Sequence, residues 1–241
     1  MPCKPVLAAV AVLVVATSSA TGFTHKPKPP KPGGGTDVNE TTLTGTGATH
    51  ITGEVWVDNW FKLWANGAEL IEDSVPITTE RSFNAERFTF NADLPLTLAF
   101  EFRDFMENAT GLEYIGTRKQ QMGDGGAIAQ FTGTDGAVLA TSHSGWKCLV
   151  VQHAPIEASC ENAGAPAVDQ GECAQRSSAF PDGWTAPGFD DSAWPDAVEH
   201  SERTVSPKDG YDRISWDRSA RLIWGADLER DNILLCRVTI R

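Results

Sequence analysis

Long apolar runs are scarce in this chain of 241 residues, and that scarcity bears first on whether it enters a membrane. Only Val6–Ala16 is unbroken, and its eleven residues in helical form rise about 16 Å against a hydrocarbon core of roughly 30 Å. Lys4 precedes this run and the small residues Ser18 and Ala20 follow it, the pattern a signal peptidase reads, so residues 1–20 are expected to be a cleaved export signal. No later stretch takes its place, and no membrane span is expected. Cys3 lies before the apolar run, where a lipid-anchored cysteine does not belong. Clusters of Lys and Arg are missing too: 20 basic residues face 32 acidic ones, and the formal charge of −12 grows more negative once Lys4 leaves. Such a field repels phosphate backbones and anionic lipid, which excludes nucleic acid as the expected partner. Cysteine is sparse, with five in all and no C-x-x-C or H-x-x-x-H spacing, so a structural zinc site has no support. No G-x-S-x-G turn is present. Ser142-His143-Ser144 does not replace it, because adjacent strand residues point to opposite faces. Glu101, Asp104, Glu107 and Glu113 cluster, but in a chain this acidic such clustering is expected by chance and makes no glycosidase pair. The sequence therefore carries no catalytic constellation, and no enzyme is expected.

What the chain does contain is a two-residue rhythm. Residues 21–49 are a Lys-Pro, Gly and Thr-rich stretch that reads as an extended tether, and residues 50–241 read as one folded domain. From Val55 to Ala65, Val55, Val57, Phe61, Leu63 and Ala65 share one face, while Trp56, Asp58, Trp60, Lys62 and Trp64 share the other, as in a strand. Asn66-Gly67 predicts a tight hairpin turn before Ala68–Ile71 run back. Leu96–Arg103 repeats the alternation. Shorter candidate strands are Arg87–Asn91, Ala127–Thr132, Ala137–Thr141, Lys147–Gln152, Arg221–Trp224 and Leu234–Ile240. With no long helical pattern between them, the expected class is all-β, a β-sandwich or jelly roll. The irregular segment Ala154–Glu202 is expected to be a long loop excursion, with one helical turn near Asp191–Trp194.

Removal of Cys3 leaves Cys148, Cys160, Cys173 and Cys236 in an oxidising compartment, which allows two disulfides in three pairings. The preferred one joins Cys160 to Cys173, stapling the loop excursion at about 3 kcal/mol against the unfolded chain, and Cys148 to Cys236.

Two segments resemble motifs of the galactose-binding-like β-jelly-roll modules of secreted proteins. Val57-Asp58-Asn59-Trp60-Phe61-Lys62-Leu63-Trp64-Ala65-Asn66-Gly67 is similar to their D-D-x-F-x-L-Y-V-N-G hairpin. Gly183-Trp184 with Phe189-Asp190-Asp191-Ser192-Ala193-Trp194-Pro195 is similar to their G-W…F-D-D-S-x-W turn, with Cys236-Arg237-Val238-Thr239 in place of the F-R-R-x-F closing strand. The hairpin precedes the turn here, the reverse of the usual order. The resemblance implies a non-enzymatic module that binds carbohydrate or another cell-surface ligand, a structural role for Asp190, Asp191 and Trp194, and a structural calcium ion. A fainter similarity, in secretion, size and tryptophan content, is to surface copper-binding proteins of methane-oxidising bacteria.

Candidate ligand-binding residues are Trp56, Asp58, Asn59, Trp60 and Trp64, since indoles at spacing four along one strand form a row that can stack on sugar rings. The competing reading has long loops covering these indoles as a second small core. For metal, Met122-Gly123-Asp124-Gly125-Gly126 reads as a flexible acidic loop with Asp124 as a calcium ligand. The alternative is copper on His50 with His143 or His153. Asn39-Glu40-Thr41 and Asn108-Ala109-Thr110 match the N-glycosylation acceptor pattern.

Overall fold

A computed structural model of the chain describes residues 38–241. The expected export signal, the Lys-Pro part of the tether, Cys3 and His25 lie outside the described residues. Along the chain run β1 (Val38–Thr42), β2 (Thr49–Asp58), β3 (Trp60–Ala65), β4 (Ala68–Glu72), β5 (Ala85–Ala92), β6 (Leu96–Arg103), β7 (Leu112–Glu113) and β8 (Gln121–Met122). They continue as β9 (Gly126–Gly133), β10 (Val138–Thr141), β11 (Lys147–His153), β12 (Arg176–Ser177), β13 (Val198–His200), β14 (Leu222–Trp224) and β15 (Asp231–Ile240). The only α-helix among the described residues is α1 (Glu202–Val205), capped by the Ser201 hydroxyl, which accepts from Thr204 N. One large sheet has the order β1-β5-β2-β9-β14-β13 with β10 also on β9, the second has β12-β11-β15-β6-β3-β4, and β7 pairs with β8 in a small third sheet. The chain is all-β and sandwich-like, as the alternation predicts.

The core lies between the sheets and is built from alternate residues of each. Ile51, Val55 and Val57 of β2, Phe88 of β5 and Phe131 of β9 meet Phe61 and Leu63 of β3, Leu98, Phe100 and Phe102 of β6 and Leu234 of β15. Phe100 bridges the layers, 6.3 Å from the Phe131 ring and 5.3 Å from Trp146. Gly53 belongs to this face because a Cβ there would fall 2.5 Å from the Phe88 ring. Cys148 and Cys236 sit directly opposite each other on β11 and β15 and are disulfide-bonded, and Cys160 bonds Cys173. The preferred pairing is the one found.

The segment Val55–Ala65 is not one strand. β2 ends at Asp58 and β3 begins at Trp60, and the two lie in different sheets. Asn59 is the pivot: its N bonds Arg103 O, its Oδ1 accepts from Phe105 N at 2.7 Å and its Nδ2 donates to Glu80 O at 3.1 Å. Because both strands face the same core from opposite sides, odd-numbered residues point inward before and after the crossing. The hairpin after β3 is as predicted, with positive φ at Asn66 and Gly67.

Two other expectations are corrected. Val38–Thr42, within the stretch assigned to the tether, forms β1, parallel to β5. Its Asn39 is anchored by the fully buried Glu86, which accepts from Asn39 Nδ2 at 2.7 Å and also from Ser74 N at 3.0 Å and Asn84 Nδ2 at 2.6 Å. The Asn39 amide of the glycosylation pattern is thus engaged by the domain itself. No helix forms at Asp191–Trp194; Asp190 Oδ1 accepts from Ser192 N and Trp194 N bonds Asp191 O, an isolated turn.

Candidate metal centre and aromatic faces

Asp58 closes β2 opposite Gly126, Asp104 follows β6 with its N bonded to Asn232 O, and Asp124 lies in the loop that enters β9. Each directs one carboxylate oxygen to a common point, all three atoms lying within 4.8 Å of one another, and all three residues are buried. The loop carrying Asp124 is packed, contrary to its reading as a flexible one. A Cβ on Gly123 would fall 1.7 Å from Asp104 Oδ2, one on Gly125 2.3 Å from the Trp224 indole, and one on Gly126 2.5 Å from Val205 Cγ1. The glycines are there for close approach, and Gly123 makes the space that the Asp104 carboxylate fills. At an effective dielectric near 20, two ionised carboxylates at this separation repel by about 3 kcal/mol. A hard divalent cation reverses that sign, and a set of carboxylate oxygens is the donor type that calcium takes. The donor set therefore fits calcium; it does not fit copper, which imidazole favours.

Asp124 was legible from its loop, whereas Asp104 stood out only as one acid among Glu101, Glu107 and Glu113. Those three are otherwise engaged: Glu101 Oε1 accepts from Arg103 Nε at 2.5 Å, Glu107 Oε1 from Ile115 N at 3.1 Å, and Glu113 Oε2 from Gln121 Nε2 at 2.7 Å.

The five residues proposed to form one ligand-binding row are separated by the crossing at Asn59. Trp56 is fully buried on the outer side of the first sheet, where its Nε1 donates to Asp209 O at 3.0 Å and Tyr211 packs edge-on at 5.6 Å. Asp58 and Asn59 are fully buried as well. These three lie on no open surface in this structure, because the segment carrying Val205, Tyr211, Ile214 and Trp216 covers Trp56. Trp60 and Trp64 sit half-buried on the second sheet. The Arg103 guanidinium lies 5.5 Å from the Trp60 ring and the Lys62 ammonium 5.6 Å from Trp64, which also meets Trp184 edge-on at 5.1 Å.

The histidines are dispersed. His50 Nδ1 pairs with Asn91 Oδ1 at 2.9 Å, His143 Nδ1 accepts from Gly145 N at 2.8 Å, and His153 Nδ1 meets Asp231 Oδ1 at 2.7 Å. Among the described residues, the one group of three or more side chains able to hold a metal contains no histidine. His50 lies on β2, His143 in the turn before β11 and His153 on β11, each bonded to a different partner.

Of the residues to which the motif gives a structural role, Trp194 packs as a lid on the second sheet with Trp184 and Phe189, and Asp191 pairs with Arg237, whereas Asp190 is exposed and bonds Ser192 N. Trp184 and Trp194 pack on Ala99, Val151 and Leu235, and Arg237 of β15, only 3% exposed, ties the lid down. Its Nε donates to Asp191 Oδ2 at 2.8 Å, its other nitrogens to the carbonyls of Trp184 and Ala186, and its guanidinium lies 5.2 Å from the Phe189 ring. Arg237→Ala strips three acceptors of their donor and is expected to cost about 3 kcal/mol. For a domain of this size the thermal midpoint then falls by roughly 6–12 °C. A loss under about 1 kcal/mol would show that the aromatic contacts hold the lid unaided.

No protein-family model, curated protein or solved structure matches the chain. What stands without them is the disulfide-bonded β-sandwich. Among the described residues no helix is long and apolar enough to cross a membrane.

Proposed function

We propose that the chain is an exported, non-enzymatic module of the galactose-binding-like kind that binds carbohydrate or another cell-surface ligand, with a calcium ion held by Asp58, Asp104 and Asp124. The observation that carries the binding reading is the pair of half-open indoles, Trp60 and Trp64, on one face of the second sheet, each with a cation against its ring. An indole face suits the C–H face of a sugar ring, and the neighbouring Lys62 and Arg103 supply donors to hydroxyl oxygens. The disulfides support export, since such bonds persist in oxidising compartments. The buried carboxylates support calcium in a structural place, under the crossing at Asn59 that sets where β3 and its indoles begin.

Retention on insoluble polysaccharides tests the binding reading. Trp60→Ala is expected to weaken retention at least tenfold, about 1.4 kcal/mol, with an unchanged far-ultraviolet spectrum. Trp64→Ala adds to the loss but also removes the Trp184 contact, so the Trp60 variant decides. Equal retention of the variant and the parent protein, or no retention of the parent on neutral and acidic polysaccharides, overturns the reading.

A further inference from the structure

A pocket of about 190 Å³ opens where β11, β12 and β15 meet, lined in part by Val151, His153, Arg176, Ser178 and Asp231. It is smaller than the roughly 300–1,000 Å³ of sites for drug-sized ligands and suits a group the size of one sugar ring. His153 stands directly opposite Asp231 on β15 and directly opposite Arg176 on β12. Directly opposed residues share a sheet face, so a carboxylate, an imidazole and a guanidinium form a row across three strands. Asp231 is fixed at every polar atom. Its Oδ1 meets His153 Nδ1 at 2.7 Å, its Oδ2 accepts from Asp227 N at 2.9 Å, and its main-chain oxygen accepts from Trp224 Nε1 at 2.6 Å. The Asp231 carboxylate orients the ring through Nδ1, which leaves Nε2 as the nitrogen turned away from it. Among the described residues Nε2 has no bonded partner and Arg176 pairs with no carboxylate. That is notable in so acidic a chain.

We infer that this pocket binds a hydroxylated carboxylate of about one sugar ring, a uronic acid being the type. A ligand hydroxyl bonds His153 Nε2 while its carboxylate accepts two parallel N–H bonds from the Arg176 fork, with Ser178 also in the lining. Neither half alone accounts for the row: a neutral sugar leaves the guanidinium unused, and a simple carboxylate leaves the imidazole nitrogen unused. The site lies on other strands than Trp60 and Trp64, so it adds to the reading above and does not depend on it.

Calorimetry and the ring-proton resonances of His153 test it on the full chain, with galacturonate, galactose and acetate as the probes. Saturable binding of galacturonate is expected, at least tenfold tighter than galactose or acetate, and weakened at least tenfold in both Arg176→Ala and His153→Gln. Arg176 is exposed on an edge strand, so its variant keeps the fold and decides the matter. Galacturonate binding no tighter than acetate, or unchanged in Arg176→Ala, overturns the inference. So does hydrolysis of nitrophenyl acetate that is lost in Ser178→Ala, which would make the row a nucleophilic site. Polysaccharide retention that depends on Trp60 would survive any of these failures.

Discussion

Asp124→Asn is expected to abolish calcium-dependent stabilisation and, in calcium-free buffer, to make the protein more stable than its parent. The opposite signs follow from the charges. At a calcium concentration one hundred times its dissociation constant, a single site stabilises the parent by about 2.7 kcal/mol, which raises the midpoint by roughly 5–10 °C for a domain of this size. Without the ion, Asp58, Asp104 and Asp124 bring three carboxylate oxygens within 4.8 Å of one another in a buried place. Removing one charge there relieves two repulsive pairs of about 3 kcal/mol each at full ionisation and an effective dielectric near 20. Gly123→Ala should mimic the loss of the ion site without replacing a ligand, because its Cβ would displace the Asp104 carboxylate. Thermal unfolding with excess chelator and again with millimolar calcium separates the outcomes. A parent midpoint that calcium leaves unmoved sinks the calcium assignment, and equal shifts in parent and variant would remove Asp124 from it.

The same site shows what the sequence could and could not disclose. Asp124 stood out because glycines flank it on both sides. Its partners did not stand out as metal ligands, because Asp58 and Asp104 are brought to it only by the fold, at the C-terminal ends of β2 and β6 in the two sheets. Alternation located Leu96–Arg103 to the residue, and the Asn66-Gly67 turn was readable because its two positive φ angles favour those residue types. The crossing at Asn59 was invisible for a physical reason: a strand that passes from one layer to the facing one keeps its inward phase, so Val55, Val57, Phe61 and Leu63 read as continuous. Trp56 therefore looked like a companion of Trp60 and Trp64 while belonging to another layer. β1 escaped notice because its polar residues Asn39 and Glu40 are held by bonds to Glu86 and Arg87 and not by apolar alternation. In the closing segment Arg237 read as one letter of a fold motif, and only the structure shows it grasping the Trp184 and Ala186 carbonyls.

Asp73→Asn is expected to flatten the dependence of stability on pH and to leave the variant clearly more stable than the parent above pH 8. Asp73 is 5% exposed in the turn after β4, and its carboxyl is pushed from 3.8 to about 8, chiefly by burial, with the charges of Glu86 and Glu72 acting in the same direction against a bond from Val75 N. The folded state thus binds the proton more tightly than the unfolded chain does. Its contribution to stability is complete below about pH 4, falls as pH rises, and is lost by about pH 8, where the buried carboxyl ionises beside Glu86. The full span is on the order of 5 kcal/mol, and relaxation of the turn is expected to reduce what is measured to about 2–3 kcal/mol. Asparagine preserves the Oδ1 acceptor that Val75 N uses at 2.9 Å, so the turn keeps its bond and loses only the ionisation. Urea unfolding at pH 4.5, 6.5 and 8.5 should give near-equal stabilities at the lowest pH and a widening gap in favour of the variant toward the highest. Parallel lines for parent and variant across that range would show that Asp73 titrates as an ordinary surface carboxylate.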